Sequence, residues 1–391
     1  MNNVKPVVAH VNSSFFEYSE TFIYQYISRH ENFLPVCLGW NFLNLDQFPI
    51  LQKDLYSLAL AHGPLRRIYG IGVSRFLKRD RIGEGKAVDA LRRSGAKLIH
   101  AHFGPIGHFS VPLKARLNIP LVTTFYGYDM SQLPRQKKWK RRFRKLFKTG
   151  DLFLVEGPFM KSRLQDLGCP EDKIQIQRIA LPLDKFPWRV RQAKKHGEKA
   201  VLLFCGRFIE KKGLLDALRA VNEIRRSHDR FEFRIVGDGP QAQQVDAFIQ
   251  AHHLQSCVRR LGVLKYRAYL DEMQKADIFV HPSVTASDGD SEGGAPTTIL
   301  EAQALGMPVV STFHADIPNI LVSGQSGLLS AERDWAQLAG NIKRLLDHQE
   351  LWADMGRAGR AFVETYHDIA KEIHHLEKKY DRLLTQAGGT P

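Results

Sequence analysis

Short apolar, β-branched runs alternate along the chain with stretches whose apolar residues recur at helical spacing. In the first half, Pro6–Asn12, Leu34–Leu38, Lys97–His102, Pro120–Phe125, Asp151–Glu156 and Ile174–Ile179 read as strands. In the second half, Ala200–Cys205, Glu232–Val236, Val258–Leu261, Asp277–His281 and Met307–Ser311 do so. Near-continuous apolar strands are buried on both faces, and helices between them supply the crossovers of a parallel sheet. Two such series predict an α/β chain of two doubly wound, Rossmann-like domains.

The pattern breaks at Leu181–Pro187, which carries two prolines, and a polar stretch from Arg189 to Lys199 follows. This predicts an N-terminal domain over 1–183 and a C-terminal domain over 184–365. In 366–391, Ile369, Ile373, Leu376, Tyr380, Leu383 and Leu384 fall at helical spacing, predicting a final helix expected to pack back on the N-terminal domain. A chain of 391 residues has room for two cores. No apolar run reaches the ~18 residues of a membrane span, and the first residues lack a basic segment followed by an apolar one. Four scattered cysteines contain no CxxC, which points to reduced thiols rather than a disulfide or zinc framework.

Charge changes the picture. The net charge is +15, and residues 1–183 hold 28 Lys and Arg against 14 Asp and Glu. The excess therefore lies in the first half, which implies an anionic partner on that side. Its densest part, Arg135–Lys148, has nine basic residues in fourteen. Trp139, Phe143, Leu146 and Phe147 share one helical face there. That face reads mostly as core, and Lys137, Lys138, Trp139, Arg141, Arg142, Arg144 and Lys145 read as an anion or membrane surface. Arg66, Arg67, Arg75, Lys78, Arg79 and Arg81 add to it.

Three segments of the second half could form a phosphate and nucleotide site. Gly206–Gly213 follows a strand and enters a helix expected over Leu214–Ser227; Gly206 permits a tight turn, and Arg207 and Lys212 could converge on a diphosphate. Gly237 lies in a second Gly-rich turn, Val236–Pro240, at least as readily explained as an ordinary turn. The third, Asp288–Ala302, is a Gly-rich loop opening a helix whose free amides would face a phosphate, with Glu301 placed to accept from ribose hydroxyls.

These segments, in their order and spacing, resemble family 4 glycosyltransferases of the GT-B fold, whose signatures are G-R-x4-K-G, V-G-x-G-P and E-x7-E within E-G-x-P…E-A. Gly306–Thr312, Ile317-Pro318 and Gly324–Leu329 fit as well. So do Ser19–Ile23, Ile99–Phe103 and Thr124–Asp129 in the first half, so that the resemblance covers nearly the whole chain. It implies two Rossmann-like domains facing a cleft, and retaining, nucleotide-sugar-dependent transfer with front-face chemistry. Arg207 and Lys212 would hold the diphosphate, amides near Ala295, Pro296 and Thr297 the phosphate oxygens, and Glu301 the ribose, while Glu292 would face the transferred sugar. His102 is implied as a cleft residue taking part in the chemistry, with Glu20, Tyr126 and Asp129 beside the acceptor; Glu20 otherwise reads as a helix cap.

The chain departs from the family in four places. Glu292 stands nine residues before Glu301 instead of eight, because the loop has an extra glycine (Gly293-Gly294), so it reaches the sugar if the loop bulges. Asn12-Ser13-Ser14 replaces a glycine pair, Tyr126 replaces a histidine, and Ala315–Asn319 replaces Gly-Gly-Ile-Pro-Glu. Asp288-Gly289-Asp290 is a DxD triplet, but Arg207 and Lys212 already supply neutralising charge, so no metal is expected. The implied partners are a UDP-sugar, with a GDP-sugar as the alternative, a polyprenyl-diphosphate-linked saccharide, and an anionic surface at the inner face of the cytoplasmic membrane. A nucleic-acid-binding protein would explain the charge but not the donor segments, and no helix-turn-helix, RNP or zinc pattern is present. Another GT-B enzyme, such as a sugar-nucleotide epimerase, is the nearer alternative.

Overall fold

The computed structural model describes residues 5–59, 80–294 and 296–388. Ala295, Arg66, Arg67, Arg75, Lys78 and Arg79 lie outside the described residues, as does the side chain of Arg81. The chain forms two compact units. Unit 1 holds residues 1–155, 161–177 and 369–391; unit 2 holds 156–160 and 178–368.

Unit 1 is built on β1 (Val7–Phe15), β2 (Leu34–Phe42), β3 (Leu55–Ser57), β4 (Ala96–His102), β5 (Leu121–Thr124), β6 (Leu152–Val155) and β7 (Ile174–Ile176). All pair in parallel, in the order β3-β2-β1-β4-β5-β6-β7. Unit 2 repeats the plan with β8 (Ala200–Cys205), β9 (Phe231–Val236), β10 (Val258–Gly262), β11 (Ile278–Val280), β12 (Val309–Thr312) and β13 (Gly327–Ser330), in the order β10-β9-β8-β11-β12-β13. These too are parallel. Strand order reverses between β1 and β4 and between β8 and β11. Ligands of such sheets bind beyond the carboxyl ends at these points.

The expected strands are present with ends shifted by a few residues. The edge strands β3 and β13 were not expected, being only three and four residues long. In unit 2 the core joins Phe204, Phe233 and Ile235 of the sheet to Leu218, Val221 and Trp352 of the covering helices. In unit 1 the helix Gly104–Leu117 lies so close to its neighbours that a Cβ on Gly104 would meet Phe125 and Phe143, and one on Gly107 would meet Thr123. The last helix, Ile369–Gly388, belongs to unit 1 and buries Ile373, Leu376 and Tyr380 there.

Candidate functional site

The turn after β8 is set by close backbone packing. A 3-10 turn at Glu210–Lys212 ends at Gly213, whose φ of +67° and whose contact with Pro282 leave no space for a side chain. Gly237, at φ +129°, lies against the carbonyl of Gly206, where a Cβ would come within 2.0 Å. Gly206 and Gly237 therefore fit the two turns to each other, which explains Gly237 without a ligand. The turn stands at the end of β8, beside the switch point with β11. Arg207 is exposed, and among the described residues it makes no ion pair.

Lys212 Nζ meets Glu292 Oε1 at 2.7 Å, and Ser283 Oγ donates to the same oxygen at 2.9 Å. Glu292 is 8% exposed. Burial opposes its ionisation, but Lys212, with help from His281 and Lys211, holds it well below the usual carboxylate range. The Glu292 amide donates to His314 Nε2 at 3.1 Å, and His314 Nδ1 lies 2.6 Å from Glu332. The loop is thereby folded inward at Glu292. The extra glycine has a local reason: a Cβ on Gly294 would overlap the Glu156 carboxylate. Asp290 is tied to Lys211 at 3.0 Å, and Asp288 accepts the Asp290 amide at 2.9 Å, so the acidic triplet is part of the loop's own bonding.

The helix Thr297–Ala304 starts after Pro296 without a side-chain cap, leaving its first turn suited to an anion. Glu301 is 5% exposed and accepts a hydrogen bond from Tyr269 Oη. Burial pushes its carboxyl up to about 7, with the Tyr269 bond acting the other way. Sequence reasoning missed Tyr269, Ser283, His314 and His281. His281 ends the β11 region at the switch point, stacked with Phe204 and with Phe279, and among the described residues neither ring nitrogen has a hydrogen-bond partner. Its Nε2 is 3.7 Å from Glu292, an ion-pair distance only if the ring is protonated, and burial lowers its pKa. None of these four stands inside a motif that marks it.

In unit 1, His102 ends β4 and is buried. Its Nε2 is 3.0 Å from His10 Nδ1, and its Nδ1 is 2.7 Å from the hydroxyl of half-buried Tyr126. Phe103, next in the chain, holds φ +71° and ψ 144°, a strained conformation for a side-chain-bearing residue at the sheet's switch point. Asp129 is fully buried and accepts from the amides of Gly104 at 2.8 Å, Tyr126 at 3.1 Å and Gly127 at 3.0 Å, so it shapes the Tyr126 loop. Glu20 takes the N-cap position of the helix Thr21–Ile27 without a side-chain capping bond. The capping reading of Glu20 does not hold.

The basic helix spans Lys137–Thr149, and Trp139, Phe143, Leu146 and Phe147 are buried. Lys137, Lys138, Arg141, Arg144 and Lys145 are exposed, and Arg142 is half-buried with its guanidinium 4.9 Å from the Trp139 ring. Trp139 is corrected: at 2% exposure it belongs to the core and not to the anion surface, because it packs against Phe143. Among the described residues, no helix is long and apolar enough to cross a membrane.

Comparisons with known proteins bear on the family and the fold. Residues 187–362 match the family of glycosyl transferases group 1, and residues 52–178 match glycosyltransferase family 4. The amylovoran biosynthesis glycosyltransferase AmsK of Erwinia amylovora is 34% identical over 293 residues, covering 74% of this chain and 70% of AmsK. The crystal structure of Anabaena HepE in complex with UDP and glucose aligns with a TM-score of 0.76 at 14% identity, over 96% of this chain and 99% of HepE. Sucrose-phosphate synthase from Thermosynechococcus elongatus aligns with a TM-score of 0.78 at 17% identity, over 97% of this chain and 100% of the synthase. The two structures speak for the fold, and the family matches with AmsK speak for the kinship. The chain is an enzyme that belongs to the family 4 glycosyltransferases and has the GT-B fold.

Proposed function

We propose that this glycosyltransferase moves a hexose or an N-acetylhexosamine from a nucleotide-sugar to a polyprenyl-diphosphate-linked saccharide, retaining anomeric configuration, in the assembly of a surface polysaccharide. The observation that carries the reading is the turn Gly206–Gly213 at the β8–β11 switch point, with exposed Arg207 and with Lys212 joined to Glu292 at 2.7 Å. A diphosphate at this turn would take Arg207 and Lys212 as counter-charges. The amides around Ala295, Pro296 and Thr297 would face its oxygens, and Glu301 would accept from the ribose. Glu292, released from Lys212, would then accept from a hydroxyl of the transferred sugar.

The chemistry asked of these groups is electrostatic. The bond from the anomeric carbon to the diphosphate breaks as the acceptor oxygen attacks from the same face. The departing diphosphate takes the acceptor's proton, and the two cations stabilise the charge that grows on it. With that charge supplied by side chains, no metal is required. On the acceptor side, His102 would act through Tyr126, and Glu20 would line the same side. The exposed cations of the basic helix would hold the enzyme at the anionic inner face of the cytoplasmic membrane. The name of AmsK supports a polysaccharide product, and the HepE complex with UDP and glucose supports a UDP-sugar over a GDP-sugar.

Thermal melts with UDP, GDP, UDP-glucose, UDP-N-acetylglucosamine and GDP-mannose test the donor. A raised Tm with uridine ligands is expected. Arg207→Ala or Lys212→Ala should keep the fold and lower kcat/KM on the donor so identified by about 100-fold or more, the scale of one lost charge-stabilising donor. Near-wild-type turnover in either variant would remove the site assignment.

A further inference from the structure

Behind Tyr126 in unit 1, three buried histidines and a carboxylate stand in line. Tyr126 Oη is 2.7 Å from His102 Nδ1, and His102 Nε2 is 3.0 Å from His10 Nδ1. His10 Nε2 is 3.0 Å from His30 Nε2, and His30 Nδ1 is 3.1 Å from Glu377 Oε1 on the last helix. The residues come from β1, the segment after the helix Thr21–Ile27, β4 and the helix Ile369–Gly388.

The direction of every proton in this line follows from one end. The Glu377 carboxylate also accepts from the amides of Glu31 at 2.8 Å and Asn32 at 2.9 Å, and from Asn32 Nδ2 at 2.8 Å. An ionised carboxylate only accepts, and a neutral imidazole has one donor and one acceptor nitrogen. His30 must therefore donate from Nδ1 and accept at Nε2. His10 then donates from Nε2 and accepts at Nδ1, and His102 donates from Nε2 to it. His102 Nδ1 is left without a proton and takes the hydroxyl proton of Tyr126.

Burial keeps the line neutral: it lowers the pKa of His10 and His102 well below the ordinary histidine value, and lowers that of His30 too, where Glu377 works in the opposite direction. Burial also opposes ionisation of Glu377, but the bonds from His30, Asn32 and the Glu31 amide hold it down at about 2. Nitrogens of His10, His100 and His102 lie within 4.8 Å of one another, a spacing that would suit a metal ion. Every ring nitrogen of the three nevertheless has a protein partner, those of His100 being Tyr380 Oη at 2.5 Å and Thr124 Oγ1 at 2.6 Å.

We infer that Glu377 is a positioning residue, which acts through His30 and His10 to fix His102 as its Nε2–H tautomer and so fixes the hydrogen-bond direction of Tyr126. A tyrosine hydroxyl has one proton. With that proton committed to His102, the Tyr126 oxygen meets a sugar hydroxyl only as an acceptor. The last helix thus sets the polarity of a group at the end of the sheet. This role for Tyr126 rests on the proposed reading of unit 1 as the acceptor side.

The test is nitrogen NMR of the full chain labelled with 15N in the histidine rings, with signals assigned by substitution. In the wild type, His102 and His10 should each show a protonated Nε2 and a bare Nδ1, and His30 the reverse. Tyr126→Phe should leave the His102 tautomer unchanged, because the direction is set at the other end. His30→Phe should release His10 and His102 into mixed tautomers while Glu377 stays in place. A wild-type His102 that carries its proton on Nδ1, or averages between tautomers, overturns the inference. So does a Tyr126→Phe spectrum in which His102 changes tautomer. Should His30→Phe not fold, the other two spectra decide. None of these spectra depends on sugar transfer, so a donor panel without a rise in Tm would count against the proposed donor reading alone, and mixed tautomers against the histidine line alone.

Discussion

Glu301 shows what a buried carboxyl can cost the fold that carries it. Its carboxyl is buried and raised from 4.5 to about 7. A carboxyl whose folded pKa lies above its unfolded value gives stability that is fully present below the unfolded pKa and is lost as pH rises through the folded one. The window here runs from about pH 4.5 to about pH 7, and the shift corresponds to about 3 kcal/mol. Glu301→Gln is therefore expected to melt above the wild type at pH 8, with the gap closing towards pH 4. Equal melts at pH 8 would show that the buried carboxyl carries no penalty. On the proposed reading the same variant loses the uridine-dependent rise in Tm, because an amide is a weaker acceptor for ribose hydroxyls. A second residue-scale cost lies at Ala315, which holds φ +47° where the family has a glycine. An L-residue there is strained by about 1–2 kcal/mol, partly offset by the backbone entropy that glycine would lose, roughly 0.5–1 kcal/mol. Ala315→Gly should gain about 0.5 kcal/mol in urea unfolding, and a loss would place the strain elsewhere.

At the scale of elements, every strand of the two sheets except β3 and β13 was legible, because strands buried on both faces are apolar throughout, as in Leu202–Phe204 and Leu152–Val155. The basic helix and its inward face were legible from spacing alone, and the motifs placed Arg207 and Lys212 on the turn after β8 and Glu301 on the helix after the glycine-rich loop. Pairings made across the fold were not. Nothing in the sequence joins His30 to Glu377, 347 positions apart, or points Glu292 at Lys212. Arg191 is the plainest case. In the sequence it is one cation in the polar stretch Arg189–Lys199. In the structure its buried guanidinium donates to the carbonyls of Ala276 at 2.8 Å, Met273 at 3.2 Å, Leu305 at 2.7 Å and Arg189 at 3.1 Å. It thereby serves the carboxyl ends of the helices Tyr266–Lys275 and Thr297–Ala304, where last-turn carbonyls lack partners and a cation suits the dipole. Burial lowers its pKa to about 9, so it stays charged at neutral pH. Arg191→Met should lose about 3 kcal/mol or more in urea unfolding, since each buried carbonyl left unpaired costs about 1–3 kcal/mol. Arg191→Lys should recover only part, because a single ammonium cannot span the fork. A loss under 1 kcal/mol for Arg191→Met would show that the helix ends hold without it.

At the scale of the whole molecule, the burial of Trp139, Phe143, Leu146 and Phe147 decides what kind of membrane attachment the basic helix can support. Its apolar face is spent on the core of unit 1, so it has nothing to insert among lipid chains. What it offers the solvent is charge, from Lys137, Lys138, Lys140, Arg141, Arg144, Lys145 and Lys148, all exposed. Attachment by this helix must then be electrostatic, worth about 1 kcal/mol per cation near an anionic surface. Salt at about 0.5 M shortens the screening length to under ~5 Å and should release the protein. The expected result is co-flotation with phosphatidylglycerol-containing vesicles at low salt, release at high salt, and no binding to neutral phosphatidylcholine vesicles. The triple variant Lys138→Glu, Arg141→Glu and Arg144→Glu should bind anionic vesicles more weakly by about 100-fold or more, three cations at about 1 kcal/mol each being reversed. Its Tm should stay within a few degrees of the wild type, since all three side chains are exposed. Binding that survives high salt would mean an apolar anchor elsewhere on the chain, and the basic helix would then be an ordinary solvated face.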